Sequence, residues 1–258
     1  VDSCRECENC KEGLEQYCKN GSVGTYNSKE RDGHTITYGG YSNNIIAREE
    51  FVLKISEKLS LEGVAPLLCA GITTYSPLRH WKVGKGHKLG VLGLGGLGHM
   101  AIKIAVSKGA EVYAFTTSPS KVNDIKGFGA KEVIVVDAGD KLKPWKGKLD
   151  YMISTVPYAY EMSGYIDCVK PYGYFTQVGQ PINGALMINN FNMIFNRVNF
   201  NGSLIGGIAE TQEVMDYCAK HRIYPQIQMI KAEEINDAWE KVVNKQARYR
   251  YVIDAATI

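Results

Sequence analysis

The sequence predicts an α/β protein in which a parallel sheet is wound with helices on both faces, accompanied by a second, smaller, β-rich part. Three observations carry this: a strand–helix alternation that starts near Lys88, a glycine-rich turn between its first strand and first helix, and a loop-rich stretch before it that opens with four cysteines.

Taken in order, residues 1 to about 75 show short β-type runs at 41–47 and 51–55 and turn signals at Asn20-Gly21, Asp32-Gly33 and Gly39-Gly40. From Lys88 the rhythm changes to a strand at 88–92, a glycine turn, a helix at 97–107 and a strand at 111–115. It continues with a helix at 120–128, strands at 132–136 and 151–154, a helix at 160–169, and strands at 174–178 and 203–205. Alternation at this spacing implies right-handed βαβ units and hence a parallel sheet. After Gly206-Gly207 come a helix at 211–220, an extended segment at 227–230, a helix at 232–244 and a strand at 250–254.

At 258 residues, 45% hydrophobic and 22% charged, the chain is long enough to bury most of its unfolded surface, which excludes small disulfide scaffolds and disordered chains. Lys plus Arg (30) against Asp plus Glu (27) leave a net charge of +3, too slight and dispersed to point to nucleic acid or a membrane surface. No apolar run reaches the roughly 18 residues a bilayer span requires; the best, 89–102, is broken by glycines and His99. The first residues lack the basic and apolar segments of a signal peptide, and no initiator methionine is present, so a longer parent polypeptide is expected. Seven cysteines, four of them within the first eighteen residues, suit a reducing compartment and a metal better than disulfides, so the cytoplasm is expected.

Cys4, Cys7, Cys10 and Cys18 follow the pattern C-x2-C-x2-C-x7-C. Four thiolates this close can surround Zn2+ tetrahedrally at about 2.3 Å with no position left open, the mark of a structural site. Iron–sulfur ligation is the rival reading, but ferredoxin spacing ends in C-x3-C-P, whereas Lys19 follows Cys18; paired or inert thiols are the bland one. A nucleic-acid-binding zinc ribbon is disfavoured by Glu6, Glu8, Glu12 and Glu15, which make the lobe acidic.

The turn Gly93-Leu94-Gly95-Gly96-Leu97-Gly98 sits directly between a strand and a helix. In that context Gly93 allows the tight turn, Gly95 lets a pyrophosphate approach the backbone, Gly98 lets helix and strand pack, and the helix N-terminus offers N–H groups. Such a fingerprint is weak alone and strong within a βαβ unit. NAD enzymes place a carboxylate at the end of the second strand, whereas here that strand runs into Thr116-Thr117-Ser118-Pro119-Ser120-Lys121. Hydroxyls from Thr117 and Ser118 with the Lys121 ammonium suit a 2′-phosphate, which favours NADP over NAD. Ser118 as a helix N-cap with Pro119 at the first helical position is the plain reading, compatible with the other.

In these motifs the chain resembles the zinc-dependent medium-chain alcohol dehydrogenases, and within them the cinnamyl-alcohol-dehydrogenase-like, NADP-dependent aldehyde reductases. The likeness runs in order through the four-cysteine lobe, residues 65–78 (APLLCAGITTYSPL), the GLGGLG turn, 116–121 (TTSPSK) and 248–254 (RYRYVID). It implies a Rossmann-type domain over 76–207, a partial GroES-like catalytic domain over 1–75 with its zinc lobe in 1–22, and a return to the catalytic domain over 208–258. NADP(H) and zinc are the implied cofactors, with Cys69 resembling a ligand of the catalytic zinc and Thr73 a residue that packs on the nicotinamide. Thr155, Val178 with Gly179, and Ser203, Leu204 and Ile205 resemble contacts to the adenosine ribose, the carboxamide and the nicotinamide side, and Arg250 a pyrophosphate contact. Without the family, Cys69 would read as an ordinary buried cysteine.

The family's other catalytic ligands and its proton relay lie upstream of the lobe, where this chain begins. His34, His80, His87, His99 and His221 match no motif that would replace them and are expected at surfaces and turns. The resemblance further implies a homodimer formed through the edge of the nucleotide-binding sheet, with the apolar stretch 204–209 compatible with it. The expected function is hydride transfer between NADP(H) and a primary alcohol or aldehyde. The competing expectation is a catalytically inactive NADP-binding, zinc-lobe protein, if the chain is naturally this short. A zinc-free quinone reductase on the same scaffold ranks lower, having no reason to keep the cysteine lobe or Cys69.

Overall fold

The computed structural model describes residues 2–137, 139–181, 186–188 and 190–258. Along the chain, α1 (Glu8–Lys11), β1 (Tyr26–Lys29), β2 (Ile36–Tyr38), α2 (Leu61–Val64) and α3 (Ala70–His80) lead into an alternating stretch. That stretch comprises β3 (Lys88–Leu92), α4 (Gly98–Ser107), β4 (Glu111–Thr116), α5 (Val122–Gly127), β5 (Glu132–Val135), β6 (Leu149–Ser154), α6 (Ser163–Ile166), β7 (Val169–Gln177), α7 (Phe191–Asn196) and β8 (Asn199–Gly202). The chain closes with α8 (Ile208–His221), β9 (Ile227–Ile230), α9 (Ile235–Val243) and β10 (Arg250–Ile253). These elements fall into two compact units, Val1–Ile72 with Ile205–Ile258, and Thr73–Leu204.

The unit Thr73–Leu204 is built on one sheet of order β5-β4-β3-β6-β7-β8 in which every pairing is parallel. This is the doubly wound order the sequence predicts, with the direction of progression reversing between β3 and β6. β3 and β4 are buried along almost their whole length, as strands covered on both faces must be. Their apolar side chains meet those of β6 and β7 in a core that includes the fully buried Phe115, Leu149, Met152 and Phe175.

The other unit carries two small sheets, the antiparallel pair β1–β2 and the parallel pair β9–β10. The predicted strands at 41–47 and 51–55 do not form: residues 49–51 make a single 3-10 turn, and Ile46 is fully exposed. The hairpin forms upstream instead, because the Asp32 carboxylate accepts from the N–H groups of His34 (2.8 Å) and Thr35 (2.9 Å) and closes the turn between β1 and β2.

Two further expectations shift. The helix expected over 160–169 contracts to α6, because β7 already begins at Val169. The strand expected at 203–205 does not form there; β8 lies upstream at Asn199–Gly202, its last residue pairs with Gln177 at the end of β7, and the chain leaves the sheet before Ser203. Asn-Phe-Asn-Gly carries little intrinsic strand preference, and pairing with β7 decides it. Finally, α3 carries Thr73 in its first turn after Cys69 and runs on through Pro77, a helix breaker in isolation.

Candidate functional site

The four lobe cysteines converge. Their Sγ atoms all lie within 4.8 Å of one another. The Cys7–Cys10 and Cys4–Cys18 sulfurs are 3.5 Å apart and the Cys4–Cys10 sulfurs 3.9 Å. A zinc tetrathiolate with arms of about 2.3 Å has edges of about 3.8 Å, so this set fits the ion. Backbone N–H groups aim at the sulfurs, Cys7 at Cys4 (3.4 Å), Cys4 at Cys18 (3.5 Å) and Lys19 at Cys7 (3.4 Å). Such donors, led by the Glu6 N–H, hold the Cys4 thiol down at about 6, and the Cys10 and Lys19 N–H groups hold Cys7 below its ordinary value. Burial pushes Cys10 up to about 11. The thiolate is the ligating form, and N–H donors favour it.

Glu15 corrects the picture of a uniformly acidic lobe surface, for it is 4% exposed. Its Oε1 accepts from Arg5 at 2.7 Å and its Oε2 from the Ile208 N–H at 3.1 Å, at the start of α8. The carboxylate thus sits where the dipole of a 14-residue helix favours a negative charge. Here the lobe backbone also comes close, since a Cβ on Gly207 would stand 1.8 Å from the Gly13 carbonyl oxygen. The sequence offered no sign of this, because Glu15 and Ile208 are 193 residues apart.

In the other unit, the glycine turn follows β3 as predicted. Gly93 has φ +86°, a Cβ on Gly98 would lie 2.0 Å from the Gly93 carbonyl oxygen, and a Cβ on Gly95 would meet nothing within 4 Å. The middle glycine therefore leaves open space at the turn, as a cradle for a phosphate requires, while the outer two are fixed by conformation and close packing. Leu97 precedes α4 and provides no side-chain cap, the arrangement in which a helix N-terminus can receive an anion. The Thr155 hydroxyl, just past β6, donates to the Gly93 carbonyl at 2.6 Å.

Lys121 is 8% exposed, and its Nζ donates to the Leu94 carbonyl at 3.2 Å, so the predicted cation reaches the glycine turn. Thr117 is exposed and Ser118 half-buried. Ser118 does stand before a 3-10 turn with Pro119 at its first position, but its side chain makes no capping bond. Val178 and Gly179 both donate N–H groups to the Ser154 carbonyl, at 2.9 and 3.1 Å, and the Ser203 N–H bonds the Gln177 carbonyl at 3.2 Å. The structure thus gathers the glycine turn, Lys121, Thr155, Val178, Gly179 and Ser203 along the carboxyl ends of the strands, where a doubly wound sheet binds its ligand. Leu204 follows with 53% exposure, and Thr73 lies buried on α3.

Cys69, Ile205 and Arg250 belong to the unit that holds the lobe. Cys69 is exposed, unlike the buried Cys168 and Cys218, whose thiols burial pushes up to about 12. Among the described residues, the lobe cysteines form the one group of three or more ligand-type side chains that could hold a metal ion, and Cys69 lies outside it. Ile205 has φ +28°, an uncommon conformation for a β-branched residue. The Arg250 Nε is buried without a hydrogen-bond partner among the described residues, a donor that an anion would satisfy. His99, expected at a surface or turn, is fully buried in α4 beside Phe128, with Nδ1 3.3 Å from the Gly95 carbonyl oxygen.

Comparison with known proteins bears on these features. Residues 96–220 match the model of the zinc-binding dehydrogenase family. The whole chain is 46% identical over 259 residues to an NADP-dependent alcohol dehydrogenase C 1 of Mycolicibacterium smegmatis, covering 74% of that protein. The chain belongs to the zinc-binding dehydrogenases. This dehydrogenase is also 46% identical over 261 residues to the aldehyde reductase YahK of Escherichia coli, again covering 74% of it. Its fold superposes on a cinnamyl alcohol dehydrogenase of Sorghum bicolor with a TM-score of 0.96 at 36% identity, over 99% of this chain and 73% of that one. The resemblance read from the motifs holds, and with it the Rossmann-type sheet.

Proposed function

We propose that this zinc-binding dehydrogenase is an NADP-dependent alcohol dehydrogenase or aldehyde reductase that passes hydride between NADP(H) and a small alcohol or aldehyde. One observation carries the cofactor choice: the segment after β4, 116–121, has no carboxylate, and its Lys121 reaches the glycine turn. Open space at Gly95 takes the pyrophosphate, and Lys121 with Thr117 and Ser118 takes the 2′-phosphate. Val178, Gly179, Ser203, Leu204 and Thr73 orient the nicotinamide, while Thr155 holds the turn and the ribose side. Cys69 supplies one thiolate to the catalytic zinc, and the four lobe cysteines hold the structural one. When bound, NADP(H) would supply or accept the hydride, and a zinc held in part by Cys69 would supply Lewis-acid polarisation of the substrate oxygen.

Residues 1–75 and 208–258 form part of the catalytic domain and 76–207 the cofactor domain, a division that the two compact units support. The reading as a catalytically silent binding protein is disfavoured, since relatives at 46% identity over the whole chain carry the names of enzymes. The protein works in the cytoplasm, where its seven cysteines stay out of disulfides, and as a homodimer through the edge strand β8, which its molar mass in solution tests.

The experiment is aldehyde reduction with NADPH and NADH by wild type and Lys121→Ala. A lost charge-assisted contact raises KM for NADPH about tenfold to a hundredfold and leaves NADH nearly unchanged. An unchanged preference between the two cofactors removes Lys121 from the 2′-phosphate site.

A further inference from the structure

The loops past β6 and β7 meet on a side chain that no motif signals. Gln177 ends β7, and its Nε2 donates to two carbonyls, that of Val156 at 3.2 Å and that of Gly179 at 2.5 Å. Its Oε1 accepts from the Tyr160 hydroxyl at 3.2 Å, and that hydroxyl lies 2.7 Å from Ser154 Oγ on β6. Because the Tyr160 hydroxyl has one proton, donating it to Gln177 leaves the oxygen to accept from Ser154. This sets the orientation of the amide, with oxygen toward Tyr160 and both donor hydrogens toward the carbonyls. The Gln177 backbone carbonyl meanwhile accepts from the Ser203 N–H, so one residue ties together the exits of β6, β7 and β8.

A donor is needed at that position. The two loops approach at backbone distance, since a Cβ on Gly179 would stand 2.3 Å from the Val156 carbonyl oxygen. Two carbonyl oxygens turned into one space repel each other unless a donor stands between them. The same loops carry Thr155, which holds the Gly93 carbonyl of the glycine turn, and Val178.

We propose that Gln177, oriented by Tyr160, is a positioning residue for the nucleotide: its amide clamps the Val156 and Gly179 carbonyls and so fixes the spacing of the β6 and β7 exits beside the glycine turn. The proposal rests on the NADP(H) reading above and goes beyond it, since neither residue is expected to touch the cofactor.

The test is titration of NADPH and, separately, of adenosine 2′,5′-bisphosphate into wild type, Gln177→Glu and Tyr160→Phe. The bisphosphate lacks the nicotinamide half, which Val178 and Gly179 orient on the proposed reading, and shares with NADPH only the Lys121 and Thr155 side, so it reports a correctly folded turn. Gln177→Glu keeps the size and the acceptor for Tyr160 but places an oxygen where the donor stood. It weakens NADPH about tenfold or more while the bisphosphate binds as in wild type, and Tyr160→Phe shows a smaller loss of the same kind. Equal NADPH affinity in Gln177→Glu and wild type, or parallel loss of both ligands, overturns the clamp. Wild type that binds neither ligand overturns the NADP(H) reading itself, and the clamp with it.

Discussion

The four-cysteine lobe and the six-stranded sheet are held together by different physics. The lobe has a single turn of α-helix, one 3-10 turn at Glu15–Tyr17, and few buried apolar side chains beyond Cys10 and Cys18, while Leu14 and Tyr17 are exposed. So few buried apolar groups offset little of the entropy of ordering its loops, and on the proposed reading an ion held by the four thiolates supplies the rest. The sheet buries Phe115, Leu149, Met152 and Phe175 completely, each contributing about 1.5–3 kcal/mol, and needs no cross-link. On that reading one chain contains a part stabilised by coordination and a part stabilised by area, and each is vulnerable to a different insult.

Metal removal is the most severe way to separate them. Stripping zinc with a strong chelator withdraws on the order of 10–16 kcal/mol of apparent binding free energy from the lobe. Amide exchange then shows residues 2–22 losing protection while β3 and β6 keep theirs; protection that survives in the lobe means that packing, not metal, holds it. Phe175→Ala does the reverse. A cavity in the core costs about 3–5 kcal/mol, lowers the melting temperature of the sheet and leaves the zinc content of the lobe unchanged. If zinc is lost along with the melt, the two parts are not energetically distinct.

Glu15→Ala has the smallest effect and sharpens the comparison most. It leaves the Ile208 N–H and Arg5 without their acceptor, costs about 1–3 kcal/mol, and raises amide exchange in the first turn of α8 without shifting the sheet. No change at α8 means that the close contact at Gly207 alone seats the lobe.

Legibility in the sequence follows the range of the interaction. The cysteine lobe and the glycine turn were readable because their chemistry is set by spacings of a few residues, and the parallel sheet because its strands are apolar along their length. The position of Lys121 near the glycine turn was readable for the same reason, a few residues past the second strand. The strands expected at 41–47 and 51–55 failed because a run of apolar residues becomes a strand only where a partner edge is offered, and the Asp32 turn offered one to β1 and β2 instead. His99 was misplaced because a histidine inside a helix shows no local sign of which face it occupies.

The sequence alone determined which atoms could bind a metal and which turn could admit a phosphate, since both are properties of short segments with fixed residue types. Only the tertiary structure decided that Glu15 is buried at the start of α8, that Gln177 stands between the carbonyls of two neighbouring loops, and that β8 ends at Gly202. Each of these depends on groups brought together from distant parts of the chain, and hydrogen-bond geometry at that range is fixed by packing rather than by local preference.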